Sequence, residues 1–392
     1  MFQTQPAPYD NHKTSKPRLG LLGIIGAFVL LTIIVWVGIH FLRPALSAKG
    51  MTGTFLNAVA VSGPEGGHRL WILTDGSFHY IQRTESPGRM SVGRKCLSCK
   101  TWTYVYDPAR KVVLAKFKTD YKALILYTWM AYLNDKIWVV TGRYDQNEPR
   151  LFVYSAEPAG LTRETSEIIA KYPELTSGLI DVKTKKDPDR IILDTKDGRK
   201  GLVITLSDEK LYPNETALRN ALAQSDEEQV TVFALGLEDS GPRKILYKVT
   251  GPKNRVKDSS LEFFLRDPKS LMVSAKAIAE SVTPGRVYIE GMIFYQDADG
   301  CLVLHQDSAG QTADRLLTCV NGGGTEKWTT APAELFKEMR VDIDKDSTSA
   351  IFFKKDKIDV SRSGNLVLLQ LKGVGAIGFD FEAGKKLWEV KF

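Results

Sequence analysis

One apolar run, Leu19–Leu42 (LGLLGIIGAFVLLTIIVWVGIHFL), holds no Asp, Glu, Lys or Arg, and Thr32 and His40 are its clearly polar side chains. A helix rises about 1.5 Å per residue, so this run reaches roughly 36 Å, enough to cross a hydrocarbon core of about 30 Å. It divides the chain into a tail (1–18), a transmembrane signal-anchor helix (19–42), a linker (43–52) and a folded domain (53–392). Lys13, Lys16 and Arg18 precede the run, while Arg43 and Lys49 follow it. The denser basic side stays cytoplasmic, which sends the domain across the inner or plasma membrane to the periplasmic or extracellular face. Ala45-Leu46-Ser47 resembles a cleavage site, but a signal h-region holds only ~7–15 apolar residues, so an uncleaved anchor is expected.

Beyond residue 53 the chain breaks into short apolar and aromatic runs separated by turn signals. His68–Thr74, Asp75-Gly76 and Ser77–Gln82 form one such sequence, and Ile191–Asp194, Asp197-Gly198 and Gly201–Leu206 another. This spacing predicts an all-β domain of hairpins. Helices are expected only as short insertions: Asn214–Gln224 with Asn214 as N-cap, Lys269–Ser281, and Ala333–Met339 behind Pro332. The formal charge of +7 is spread along the chain, and the densest basic patch, Lys183–Lys186, is followed by Asp187 and Asp189. A nucleic-acid binder needs a concentrated basic stripe, so no nucleic-acid partner is expected.

Three segments share the form strand, Asp or Asn, turn, returning strand: Tyr104–Leu114 around Asp107, Leu316–Trp328 around Asn321, and Ile377–Trp388 around Asp380 and Gly384. The acidic or amide side chain suits the turn, glycine takes positive φ, and Trp328 and Trp388 return into the layer between sheets. The last block, FDFEAGKKLWEVKF, resembles the Asp-x-x-x-Gly-Lys-x-x-Trp core of the quinoprotein-like (pyrroloquinoline-quinone type) β-propeller repeat. That resemblance implies four-stranded blades around a central channel, six to eight of them at ~40–50 residues each. A β-sandwich or irregular all-β domain with chance Asp-Gly-Trp turns is the alternative.

Cysteine placement carries the remaining chemistry. Cys96-Leu97-Ser98-Cys99 is followed by Lys100, not by the His that haem attachment needs, and no second CxxC completes a zinc site. A small structural disulfide or a redox dithiol remains. Cys301 and Cys319 sum to 620, as expected for partners in a hairpin turning at Gly310, which puts a second bridge within reach; buried free thiols are the alternative. Asp342-Ile-Asp344-Lys-Asp346 lacks the Gly and Glu of a calcium loop, and no GxSxG or HExxH surrounds His68, His79 or His305. No catalytic, metal or cofactor residue is assigned. The expected function is a non-enzymatic, membrane-anchored scaffold that binds a protein or envelope partner; the alternative is a quinone-cofactor or thiol–disulfide oxidoreductase of the envelope.

Overall fold

The computed structural model describes Thr32 and residues 50–392, apart from 64–66, 87–88, 123–126, 143–147, 187–188, 224–228, 238–242, 253–277, 310–314 and 332–357. The chain forms two compact units, Met1–Leu46 and Ser47–Phe392. The expected tail and anchor lie outside the described residues, Thr32 excepted, and among the described residues no helix is long and apolar enough to cross a membrane.

The second unit is built from five antiparallel sheets among the described residues. The first contains β1 (Thr54–Ser62), β2 (His68–Asp75), β3 (Phe78–Ser86), β4 (Arg89–Asp107) and β5 (Val112–Tyr121). The second runs β6 (Thr128–Leu133), β7 (Lys136–Thr141), β8 (Arg150–Ser155), β9 (Gly160–Glu164). The third runs β10 (Leu179–Lys185), β11 (Arg190–Thr195), β12 (Leu202–Thr205), β13 (Leu211–Tyr212). The fourth holds β14 (Gln229–Leu237), β15 (Arg243–Pro252), β16 (Ile278–Ser281), β17 (Tyr288–Asp297), β18 (Gly300–Gln306), β19 (Arg315–Asn321) and β20 (Glu326–Thr330). The fifth runs β21 (Ile358–Ser363), β22 (Leu366–Leu371), β23 (Gly375–Asp380), β24 (Lys386–Lys391).

Sheets pack face to face in the order third, second, first, fifth, fourth. Val59, Trp71 and Val105 of the first sheet meet Ile137, Val139 and Phe152 of the second. The opposite face of the second, with Trp138 and Val153, packs on Ile191, Leu193 and Ile204 of the third. Ala58, Ile72 and Tyr104 cover Leu366 and Leu368 of the fifth, whose other face carries Leu369 and Phe379 onto Leu304 and Leu317 of the fourth. Neighbours on both faces explain why β22 is buried along its whole length and reads as an unbroken apolar run instead of an alternating one.

The first and last sheets are joined directly. The Ala58 amide donates to Gln370 Oε1 at 2.6 Å, Gly373 N–H donates to the Phe55 carbonyl, and the Phe55 and Phe392 rings lie 5.5 Å apart. Sheets stack about 10 Å apart, so the third and fifth, separated by two others, would be about 30 Å apart in a flat stack. Yet Lys186 Nζ, at the end of β10, bonds Asp359 Oδ1 of β21 at 2.7 Å. The third and fifth sheets therefore approach each other at β10 and β21.

Two sequence expectations are corrected. Cys301 and Cys319 are free buried thiols, not a bridge. The β18–β19 register pairs Cys301 with Val320 and Leu302 with Cys319, a sum of 621. That one-residue offset turns the two sulfurs to opposite faces: Cys301 packs with Phe233 and Leu246, Cys319 with Phe379 and Phe381. Of the expected helix Lys269–Ser281, the last four residues form β16 instead, paired with β15, and the rest lies outside the described residues. Ala333–Met339 and Asp342–Asp346 also lie outside them. The helix expected at Asn214 spans Glu215–Ala223, and Asn214 Oδ1 accepts the Ala217 amide at 2.8 Å. A further helix, Thr165–Ala170, carried no such apolar pattern; Glu167 accepts the Glu164 amide across its first turn.

Candidate functional site

The repeat positions act as fasteners. Asp107 Oδ1 accepts the Ala109 and Arg110 amides, Asn321 Oδ1 those of Gly323 and Thr325, and Asp380 Oδ1 that of Ala383. Trp328, on β20, reaches across to the fifth sheet and donates Nε1–H to the Phe381 carbonyl at 2.7 Å. Its ring lies over Gly384, where a β-carbon would stand 2.5 Å from Cδ2, and meets Phe379 edge-on. The Cys319 thiol donates to the same Phe381 carbonyl. Trp388 packs on Gly378, its cross-strand partner, and faces the first sheet.

Two polar clusters are equally well explained as structure. Glu209, between β12 and β13, takes Lys136, Arg163 and Lys171 at 2.6–2.9 Å, tying the third sheet to the second. The Arg163 guanidinium, helped by both lysines, holds its carboxyl well below the ordinary carboxylate range. Buried His305 donates Nδ1–H to the Gln306 carbonyl, so Nε2 is left to accept the Thr318 hydroxyl at 2.8 Å. Burial lowers its pKa and keeps the ring neutral. His305 is a satisfied core histidine.

The cysteine motif leads to a different feature. β2 and β3 both pair with β4, one after the other, so 68–86 and 89–107 make one long ribbon. Its base, bordered by β5, belongs to the first sheet; its outer half, β3 against Arg89–Ser98, pairs with no other strand among the described residues. Nine residues at about 3.3 Å each make an arm of roughly 30 Å. Between 78 and 96 the arm carries Arg83, Arg89, Arg94 and Lys95 against Glu85.

At the root of the arm the register changes. Phe78 faces Ser98 but His79 faces Cys96, leaving Leu97 as the extra residue of a β-bulge. Cys96 and Cys99 are bridged across that bulge. Leu97 is 69% exposed and Phe78 46%, whereas Cys99 is 5% exposed. Just inside, Ser77 Oγ accepts the Lys100 amide and donates to its carbonyl, and Gly76 N–H donates to that carbonyl too. Glycine is required at 76 because a β-carbon there would lie 2.6 Å from Trp102 Nε1; Lys116 Nζ covers that ring at 3.8 Å. The sequence exposed the CxxC but not the bulge or the clamp, which arise from two registers meeting on one strand.

No protein-family model matches the chain, and no curated protein matches it. Among solved structures it is similar to the AfRom2 CNH domain (9% identity, 88% of this chain and 98% of that one, TM-score 0.23). It is also similar to the WD40 domain of SCAP from fission yeast (9%, 86% and 83%, TM-score 0.23). A third is the dihydro-heme d1 dehydrogenase NirN in complex with DHE (11%, 86% and 73%, TM-score 0.23). Likenesses at these scores transfer neither a site nor an activity.

Proposed function

We propose that this chain is a membrane-anchored, extracytoplasmic binding scaffold with a propeller-like body, which offers the β3–β4 arm to a protein or envelope partner. The single observation that carries the reading is the arm: a ribbon of roughly 30 Å beyond the first sheet, paired only with itself among the described residues, with Phe78 and Leu97 exposed at its root. Its excess of basic residues favours a partner that presents negative charge. The anchor reading rests on the hydropathy of Leu19–Leu42. The propeller reading rests on the approach of β10 to β21, the meander order of the second, third and fifth sheets, and the resemblance of the last block to the quinoprotein-like repeat. The basic patch at Lys183–Lys186 is spent on ion pairs with Asp181, Glu215 and Asp359, in keeping with a partner other than nucleic acid.

A photocrosslinking residue placed at Leu97 of the full chain in its native membrane tests this. Crosslinks to one species are expected from position 97 and not from Leu387, which is also exposed, and they should weaken as salt rises. Equal capture at both positions would refute the arm as a binding element.

A further inference from the structure

We propose that the Cys96–Cys99 bridge is a thiol-exchange site, opened at Cys96 by a low-molecular-weight thiol, and that its state sets how the arm leaves the first sheet. The two sulfurs are unequal: Cys96 is part-exposed beside exposed Leu97, whereas Cys99 is buried against the sheet. An external thiolate therefore meets Cys96 first.

The bridge also holds a defined piece of backbone. Three residues of extended strand span about 10 Å, yet the Cα atoms of Cys96 and Cys99 lie 5.7 Å apart. The closed bridge takes up about 4 Å of β4, slightly more than the rise of one residue. One residue is also what Leu97 adds to the register: pairs in the arm sum to 175 (His79 with Cys96), those at its base to 176 (Phe78 with Ser98, Asp75 with Thr101). Opening the bridge releases the length that the bulge stores. Because bulges bend and twist a strand, it also releases the arm's direction.

The chemistry balances without a metal. A thiolate attacks Cys96 Sγ, the Cys96–Cys99 bond breaks, and Cys99 leaves as a thiolate that takes a proton from water. A second thiol attacks the external sulfur of the mixed disulfide on Cys96, giving the oxidised thiol dimer and a Cys96 thiol. Two thiols are oxidised and one bridge is reduced. In reverse, Cys99 attacks the mixed disulfide and expels the external thiol, so Cys99 is the resolving group.

The test uses the full chain and millimolar glutathione under native conditions, followed by alkylation and mass spectrometry. Glutathione is expected on Cys96 with about tenfold preference over Cys99, with Cys301 and Cys319 unmodified as an internal sign of folding. Amide exchange should speed up in 78–98 and stay unchanged in β6–β13. With oxidised glutathione in place of the thiol, Cys99→Ser should hold the adduct on Cys96, the other glutathione half leaving as thiolate, and Cys96→Ser should leave Cys99 unmodified. A bridge that opens only when Cys301 and Cys319 also react would overturn the proposal. So would equal adducts, or reduction without change in the arm's exchange. These readouts do not depend on partner capture at Leu97, so either idea can fail alone.

Discussion

Changing Gly384 to alanine probes the fastening of the fourth sheet to the fifth. Gly384 has φ of +64°, a conformation that costs an L-residue about 1–2 kcal/mol. The new β-carbon would stand 2.5–2.9 Å from three atoms of the Trp328 ring, and overpacking of this kind costs about 1–3 kcal/mol. Gly384→Ala should therefore destabilise by about 2–5 kcal/mol. Trp328→Leu removes the bond to the Phe381 carbonyl and the edge contact with Phe379, for a loss of about 2 kcal/mol. Made in the Trp328→Leu background, Gly384→Ala should cost only its backbone part, about 1–2 kcal/mol, so the cycle should show about 1–3 kcal/mol of coupling. Urea unfolding of the four proteins in detergent, followed by far-ultraviolet circular dichroism, measures it. Additivity within about 0.5 kcal/mol would refute the claim that the ring itself dictates glycine at this turn.

Four further outcomes are expected. Glu209→Gln should destabilise by about 1–3 kcal/mol at neutral pH. Because the folded carboxyl titrates below its ordinary value, the wild-type advantage is present above about pH 4.5 and fades as pH falls further, which thermal melts across that range would show. His305, kept neutral by burial, should make stability fall as pH drops below about 6.5, where the unfolded chain takes the proton more readily; His305→Gln should flatten that slope in the same melts. Asn214→Ala removes the cap on the Ala217 amide and should cost about 1 kcal/mol, visible as faster amide exchange in Glu215–Ala223. Unfolding without reductant should expose two reactive thiols, Cys301 and Cys319; a count of none would restore the second bridge.

Legibility tracked the range of the forces involved. The all-β class, the Asn214 cap and the Asp107, Asn321 and Asp380 turns were readable because each is a local matter of side chain and backbone within a few residues. Trp328 was readable as a residue returning between sheets, but its acceptor, the Phe381 carbonyl, lies 53 residues away. Glu209 gave no sign of its role, since its three cations come from β7, β9 and the end of a helix.

The cysteines mark the boundary most clearly. Sequence alone put Cys96 and Cys99 within reach of a bridge wherever the strand bends, because only Leu97 and Ser98 lie between them. It also placed Cys301 and Cys319 on one hairpin. Only the tertiary structure decided the register, and with it the faces: a sum of 621 in place of 620 sends two sulfurs into different cores. The same parity, changed once at Leu97, turns a plain hairpin into an arm with a bridged root. Side chains alternate with a period of two, so a single residue of register, set by packing between distant sheets, reverses what each position touches.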